Sequence, residues 1–299
     1  MENNEYISES MIKRQSWKYY FVSVAWPLYL LLLPLVFNKV GFYSILLMIF
    51  PGVFLFTWVG YLMHESWHKY VPNVPNSFFF NVLSWMLLTD PQIYKMLHGG
   101  HHMNVNSWDD RELHPMGKIS NPILRKIYNY FEVILGTVFL VAVSSLAIPF
   151  NSKYKGKYHF SSLATSIFAW VIFLGGIGFL SHLIFRISAE TVIISYIISL
   201  WICSFILHQS QLVEHGNLIA EGNWNVRNLL TRNLRAKGIV EKIFLFLTHG
   251  DSREHVLHHT LVKIYSRPFP GKVPMPENAV YVDFKNYMSL LWGMLIKNA

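Results

Sequence analysis

Hydrophobic and polar positions fall along this chain in blocks. Uncharged apolar runs of about twenty residues, the length a helix needs to cross a bilayer core of about 30 Å, alternate with polar segments rich in Lys, Arg, Asp, Glu and His. Four runs, at 19–38, 40–63, 160–185 and 191–213, predict membrane-spanning helices. Only Asn38 and Lys39 separate the first two, which predicts a hairpin. Pro27 and Pro34 are tolerable inside a membrane helix. Residues 70–89 are uncharged but broken by Pro72, Pro75 and Asn76, so 78–90 reads as interfacial. The N-terminal run is too long for a typical signal-peptide core and reads as a retained span.

A further apolar run at 133–150 decides the topology. If it spanned, the C-terminal third would lie on the opposite side from the first polar segments. Lys13, Arg14 and Lys18 precede the first span, and Lys153, Lys155 and Lys157 follow 133–150. Both groups belong on the cytoplasmic side, so 133–150 reads as interfacial or re-entrant. The expected architecture is an all-α membrane protein: one domain over 1–299, about four transmembrane helices in two hairpins, interfacial helices, and a helical cytoplasmic cap at 214–299.

Composition agrees. The chain is 53% hydrophobic and 14% charged, against about 25% charged in soluble domains. The formal charge is +8. The basic residues sit between apolar runs, where they set topology and face anionic headgroups, so no nucleic-acid partner is expected. The single cysteine, Cys203, lies in an apolar run and excludes an intrachain disulfide or a thiolate metal site. With 14 histidines, any metal site must use imidazole and carboxylate, which suit zinc or iron.

The histidines are clustered. His64 and His68 stand four apart in His64-Glu65-Ser66-Trp67-His68, on one face of a helix. This is also the zinc-protease pattern, with Glu65 as general base. His98-Gly99-Gly100-His101-His102 and His255-Val256-Leu257-His258-His259 share one spacing. Gln211 and His215 are again four apart, at the end of the last apolar run. Nine imidazoles beside span ends exceed the four ligands of one zinc and suit two metals. Ligand imidazoles need partners for their other nitrogen; Glu65, Asp109, Asp110, Glu112, Glu214, Asp251 and Glu254 are near enough in sequence. His208 and His249 read as supporting or structural. The aromatic residues flanking the boxes read as packing or interfacial anchors.

The order HxxxH, HxxHH, a lone His and HxxHH resembles the membrane fatty-acid desaturase family, over roughly 64–267. The resemblance implies two iron ions held by His64, His68, His98, His101, His102, His215, His255, His258 and His259. Gln211 stands where acyl-CoA desaturases carry an Asn that reaches iron through water, and Trp108-Asp109-Asp110 resembles the acidic stretch after their second box. The implied reaction is O2-dependent desaturation of a lipid acyl chain at the cytoplasmic face of a multi-pass membrane protein. A hydroxylase or carotenoid ketolase would use the same centre. A zinc protease built on Glu65 would leave two boxes redundant, and a metal transporter would carry its ligands inside the spans. The chain has no nucleotide fingerprint and no cysteine cluster. Electrons are therefore expected from an external ferredoxin or cytochrome b5-type donor with its reductase, for which the basic cap offers a docking surface.

Overall fold

The computed structural model describes residues 9–69, 71, 73–148, 157–260 and 274–296, with the backbone alone for 9–19 and 251. The lysines at 153 and 155, the Pro-rich segment at 267–271 and the side chain of Asp251 lie outside the described residues. The fold is mostly helical. Among the described residues, three helical stretches are long and apolar enough to cross a membrane: Tyr20–Trp67, Phe160–Phe185 and Ala189–His215. The chain divides into two compact units.

The first unit comprises Ile12–Gln92 and Gly156–Ser204. It opens with α1 (Glu9–Val40), which runs straight through the expected turn at Asn38-Lys39. The break comes at Gly41, whose φ of +53° is costly for any residue with a Cβ. Tight and wide helical turns fill 41–52, and Pro51 cannot donate to a regular ladder there. Then α2 (Val53–Trp67) begins. The Trp26 and Phe56 rings meet edge-on at 4.3 Å. Residues thirty apart in one helix would be about 45 Å apart, so the chain folds back on itself. A Cβ at Gly52 would overlap the Tyr29 hydroxyl, which bonds Ser199 at 2.6 Å. Small residues thus permit close helix approach, as membrane interfaces favour.

In the same unit, α3 (Asn76–Met86) packs on α2 and on α7 (Phe160–Phe185). Left-handed Arg186 ends α7, and Phe173 meets Tyr196 of α8 (Ala189–His215) at 5.7 Å, a second fold-back. Only 11% of the α7 apolar window is buried. So large an exposed apolar face needs a lipid or protein cover. The buried Asp90 carboxylate accepts from Ser162, Ser166 and the Gln92 amide, and Pro91 begins α4 (Pro91–Asn104).

The second unit comprises Met1–Met11, Ile93–Lys155 and Phe205–Ala299. The Asn121 side chain caps α5 (Pro122–Leu135), and Gly136 ends it at φ +65°. The next helix, α6 (Thr137–Ala147), is 11 residues long, about 16 Å, too short to span. The apolar run expected at 133–150 is therefore split by a glycine. Beyond α8 come α9 (Trp224–Leu229), β1 (Arg232–Leu234), α10 (Ile239–Leu247), α11 (His255–Thr260), β2 (Val280–Val282) and α12 (Phe284–Ile296). The two strands pair in parallel, Arg232 opposite Val280 and Leu234 opposite Val282. A core of Val133, Leu212, Val213, Leu234, Val282, Tyr287 and Met294 joins α5, α8, both strands and α12.

Candidate metal centre

Helix α4 carries His98, His101 and His102 at spacings that put all three on one side. The loop after α4 supplies their supports. Asp110 Oδ2 lies 2.7 Å from Nδ1 of His101, and Glu112 Oε2 lies 2.9 Å from Nδ1 of His98. A carboxylate can only accept here, so each Nδ1 carries a proton, and in the neutral ring Nε2 is the nitrogen left to take a metal.

His215 is the last residue of α8. Its Nδ1 lies 2.8 Å from Asn106 Oδ1, while the Asn106 amide donates to the Arg227 carbonyl and the Thr231 hydroxyl. That donation fixes the amide's orientation, so Nδ1 of His215 is the donor and Nε2 is again the nitrogen left to take a metal. Arg232 holds this helix end. Its guanidinium donates to the carbonyls of Leu212, Val213 and Gly216 around the helix C-terminus, where last-turn carbonyls run short of backbone donors; the Leu212 carbonyl also accepts from the Gly216 amide. Burial lowers the Arg232 pKa to about 10, still high enough to leave it charged at neutral pH.

The third box is α11. His255, His258 and His259 are all buried. The Asn233 side chain accepts from the Val256 amide at 3.1 Å and holds the start of the helix. Glu214 accepts from Ser252 at 2.9 Å and places its other oxygen 3.3 Å from Nε2 of His255.

His101, His215, His255 and His259 bring ligand nitrogens within 4.8 Å of one another, all four buried. The Nε2 atoms of His215, His255 and His259 are 3.1, 3.2 and 3.4 Å apart. Imidazoles around one ion with bonds of about 2.1 Å put neighbouring nitrogens roughly 3.0–3.4 Å apart. Lone pairs this close repel unless a cation or proton lies between them. Burial, and then the imidazoles of His101, His255 and His215, hold His259 well below the usual histidine range. A second proton on this ring is thus disfavoured, and the donor set fits a metal.

Elsewhere in this unit the His98 ring lies 4.6 Å from His102 and 6.1 Å from His258, with the His102 and His258 rings 4.8 Å apart. In the other unit His64, in the last turn of α2, and His68, which caps its C-terminus, bring their rings to 4.7 Å, with Glu65 between them in sequence and buried. Asp110 contacts a box histidine, whereas Asp109 turns outward and pairs with Arg111 at 3.7 Å. Gln211 Oε1 lies 2.8 Å from Nδ1 of His208, whose Nε2 lies 3.5 Å from Glu132. Gln211 and His215 also line a cavity of about 10 Å³ with His114, Arg125 and Glu132, room for about one water.

Sequence reasoning missed Asn106, Arg232 and Asn233. Asn106 stands four residues past the second box, but its partner His215 lies 109 positions on, and no local pattern signals such a pair.

A family model described as fatty acid desaturase matches residues 40–266. A search of curated proteins finds no match.

Proposed function

The chain belongs to the fatty acid desaturase family, and on that premise we propose that it is a multi-pass membrane oxidoreductase that desaturates a lipid acyl chain. Adjacent CH2 groups and O2, with two electrons and two protons, become a cis- or trans-CH=CH unit and two waters. The electrons come from an external ferredoxin or cytochrome b5-type donor. The observation that carries this reading is the buried four-histidine cluster, in which His101 and His215 each have Nδ1 engaged by a side-chain oxygen, leaving Nε2 as the nitrogen that could take a metal.

His101, His215, His255 and His259 would hold one iron. His64, His68, His98, His102 and His258 would hold a second, an assignment supported by the box pattern. Bound iron would supply the reducing power that activates O2 toward an unactivated C–H bond. Asp110, Glu112 and Asn106 keep ligand rings in one tautomer and orientation. Burial of the cluster excludes bulk water from the place where hydrogen is removed.

The two fold-backs, α1 with α2 and α7 with α8, support four crossings. Lys13, Arg14 and Lys18 favour a cytoplasmic N-terminus, which puts the histidine boxes on the cytoplasmic side.

The test is elemental analysis of the purified protein together with mass spectrometry of its lipid products. Iron near two equivalents and an acyl product lighter by two hydrogens, formed only with O2 and a reductant, are expected. One equivalent of zinc, with activity retained after iron removal, would return the protease reading built on Glu65.

A further inference from the structure

A second cavity of about 550 Å³ opens on the unit that carries the four-histidine cluster. Arg235, Lys242 and Arg253 line it, with one carboxylate, Glu254. Glu254 lies 3.8 Å from Arg253, which leaves the other two cations uncompensated. Nearby Lys237 pairs with Asp283 at 3.4 Å. Among the described residues neither Arg235 nor Lys242 has a carboxylate partner. The Arg235 guanidinium stands 4.9 Å over the Tyr281 ring, which holds its plane. A stacked guanidinium beside an ammonium is a donor arrangement suited to phosphate.

The rest of the lining is apolar and includes Leu245 and Tyr281. Lys242 and Leu245 lie on α10, whose outer face exposes Ile239, Val240, Ile243 and Phe246. A cationic pocket beside an exposed apolar helix face matches a ligand with a phosphate head and an apolar body. The pocket is also tied to the metal centre by the chain itself. Arg253 and Glu254 immediately precede His255, and β1, which ends at Leu234 on the pocket wall, holds the start of α11 through Asn233.

We propose that this cavity binds the phosphate group of the acyl-bearing substrate, an inference that rests on the acyl-oxidation reading. The same phosphate chemistry occurs in a phospholipid headgroup and in a soluble phosphorylated carrier such as coenzyme A.

The test uses the full chain in neutral-lipid nanodiscs and calorimetric titration with two probes, coenzyme A and short-chain phosphatidic acid. Saturable binding of at least one probe is expected, and the probe that binds identifies the source. Affinity should fall about tenfold or more in Arg235→Gln and in Lys242→Gln, and should weaken with salt. Lys237→Gln should bind as the unaltered chain does, and the iron content of every variant should be unchanged. Should Arg235→Gln fail to load iron, Arg235→Lys and exposed Lys242→Gln carry the comparison. If neither probe binds saturably, or if both pocket variants bind normally, the proposal is overturned. Oxidation of lipid with no phosphate binding overturns the pocket alone; phosphate binding with no iron and no oxidation overturns the acyl-oxidation reading.

Discussion

Asn106 fixes the proton on His215. Its amide is oriented by two donated hydrogen bonds, so its oxygen must accept from Nδ1 of the ring, at 2.8 Å. The nitrogen turned toward His255 and His259 is therefore set from the opposite side of the ring, by a residue 109 positions away in sequence. Asn106→Leu should leave the helices intact and lower metal affinity by about 10- to 100-fold. His215→Ala should abolish activity while membrane insertion persists. Iron content and product yield, at matched expression, measure both. A fully active His215→Ala chain would remove His215 from the ligand set.

The acidic residues after the second box should separate by position. Asp110→Asn and Glu112→Gln each disturb a ring nitrogen of a box histidine and should cost about 10- to 100-fold in metal affinity. Asp109→Asn touches an exposed pair with Arg111 and should change stability by less than about 0.5 kcal/mol. Equal losses at Asp109 and Asp110 would contradict the proposed division of roles.

Gln211 offers a graded series. Its carbonyl partners buried His208, and it borders a space for about one water beside His215. Gln211→Leu removes the partner and should cost about 1–3 kcal/mol of stability. Gln211→Asn should be tolerated better, and Gln211→Ala should lower activity less than His215→Ala. Thermal unfolding and turnover on matched samples test the order.

Acid should loosen the unit that holds His114. Burial, opposed in part by Asp110 and Glu132, holds this imidazole below its ordinary 6.5. The unfolded chain therefore takes up the proton first. Stability present above about pH 6.5 falls as pH drops below it toward the folded-state value. Thermal scans of metal-free protein across this range should show the slope, and His114→Phe should reduce it by about one proton's worth.

Topology can be read by labelling. Cys203 is buried 3.7 Å from the Thr57 hydroxyl, so Cys203→Ser keeps a polar contact and gives a thiol-free background. Single cysteines at Lys118, ahead of the 133–150 run, and at Lys237 should label from the same side. Labelling from opposite sides would mean that 133–150 crosses after all.

The apolar runs and the boxes were legible in the sequence because both are local signals. Twenty uncharged residues have one economical use, and His64 with His68, or His98 with His101 and His102, share a helix face whatever the tertiary structure. The element ends were less legible. The first turn falls at Gly41, past Asn38 and Lys39, because the backbone requirement for positive φ outweighs polarity. Gly136 divides a run that hydropathy alone leaves continuous. The supports were hidden for another reason: Asn106 with His215, and Arg232 with Leu212 and Val213, join distant positions, and each residue alone reads as an ordinary polar side chain.

Arg232 gives α8 two unlike ends. At His215 a buried guanidinium grips three carbonyls; at Ala189 the helix starts just past a three-residue turn. A bilayer that thickens or thins makes a spanning helix tilt or slide, and movement at the clamped end would break those bonds. Adjustment should therefore concentrate at the Ala189 end, so that the spacing of His215 from His255 is insulated from membrane thickness. Spin-label distances measured in lipids of different chain length should vary near residue 189 and stay constant near residue 215.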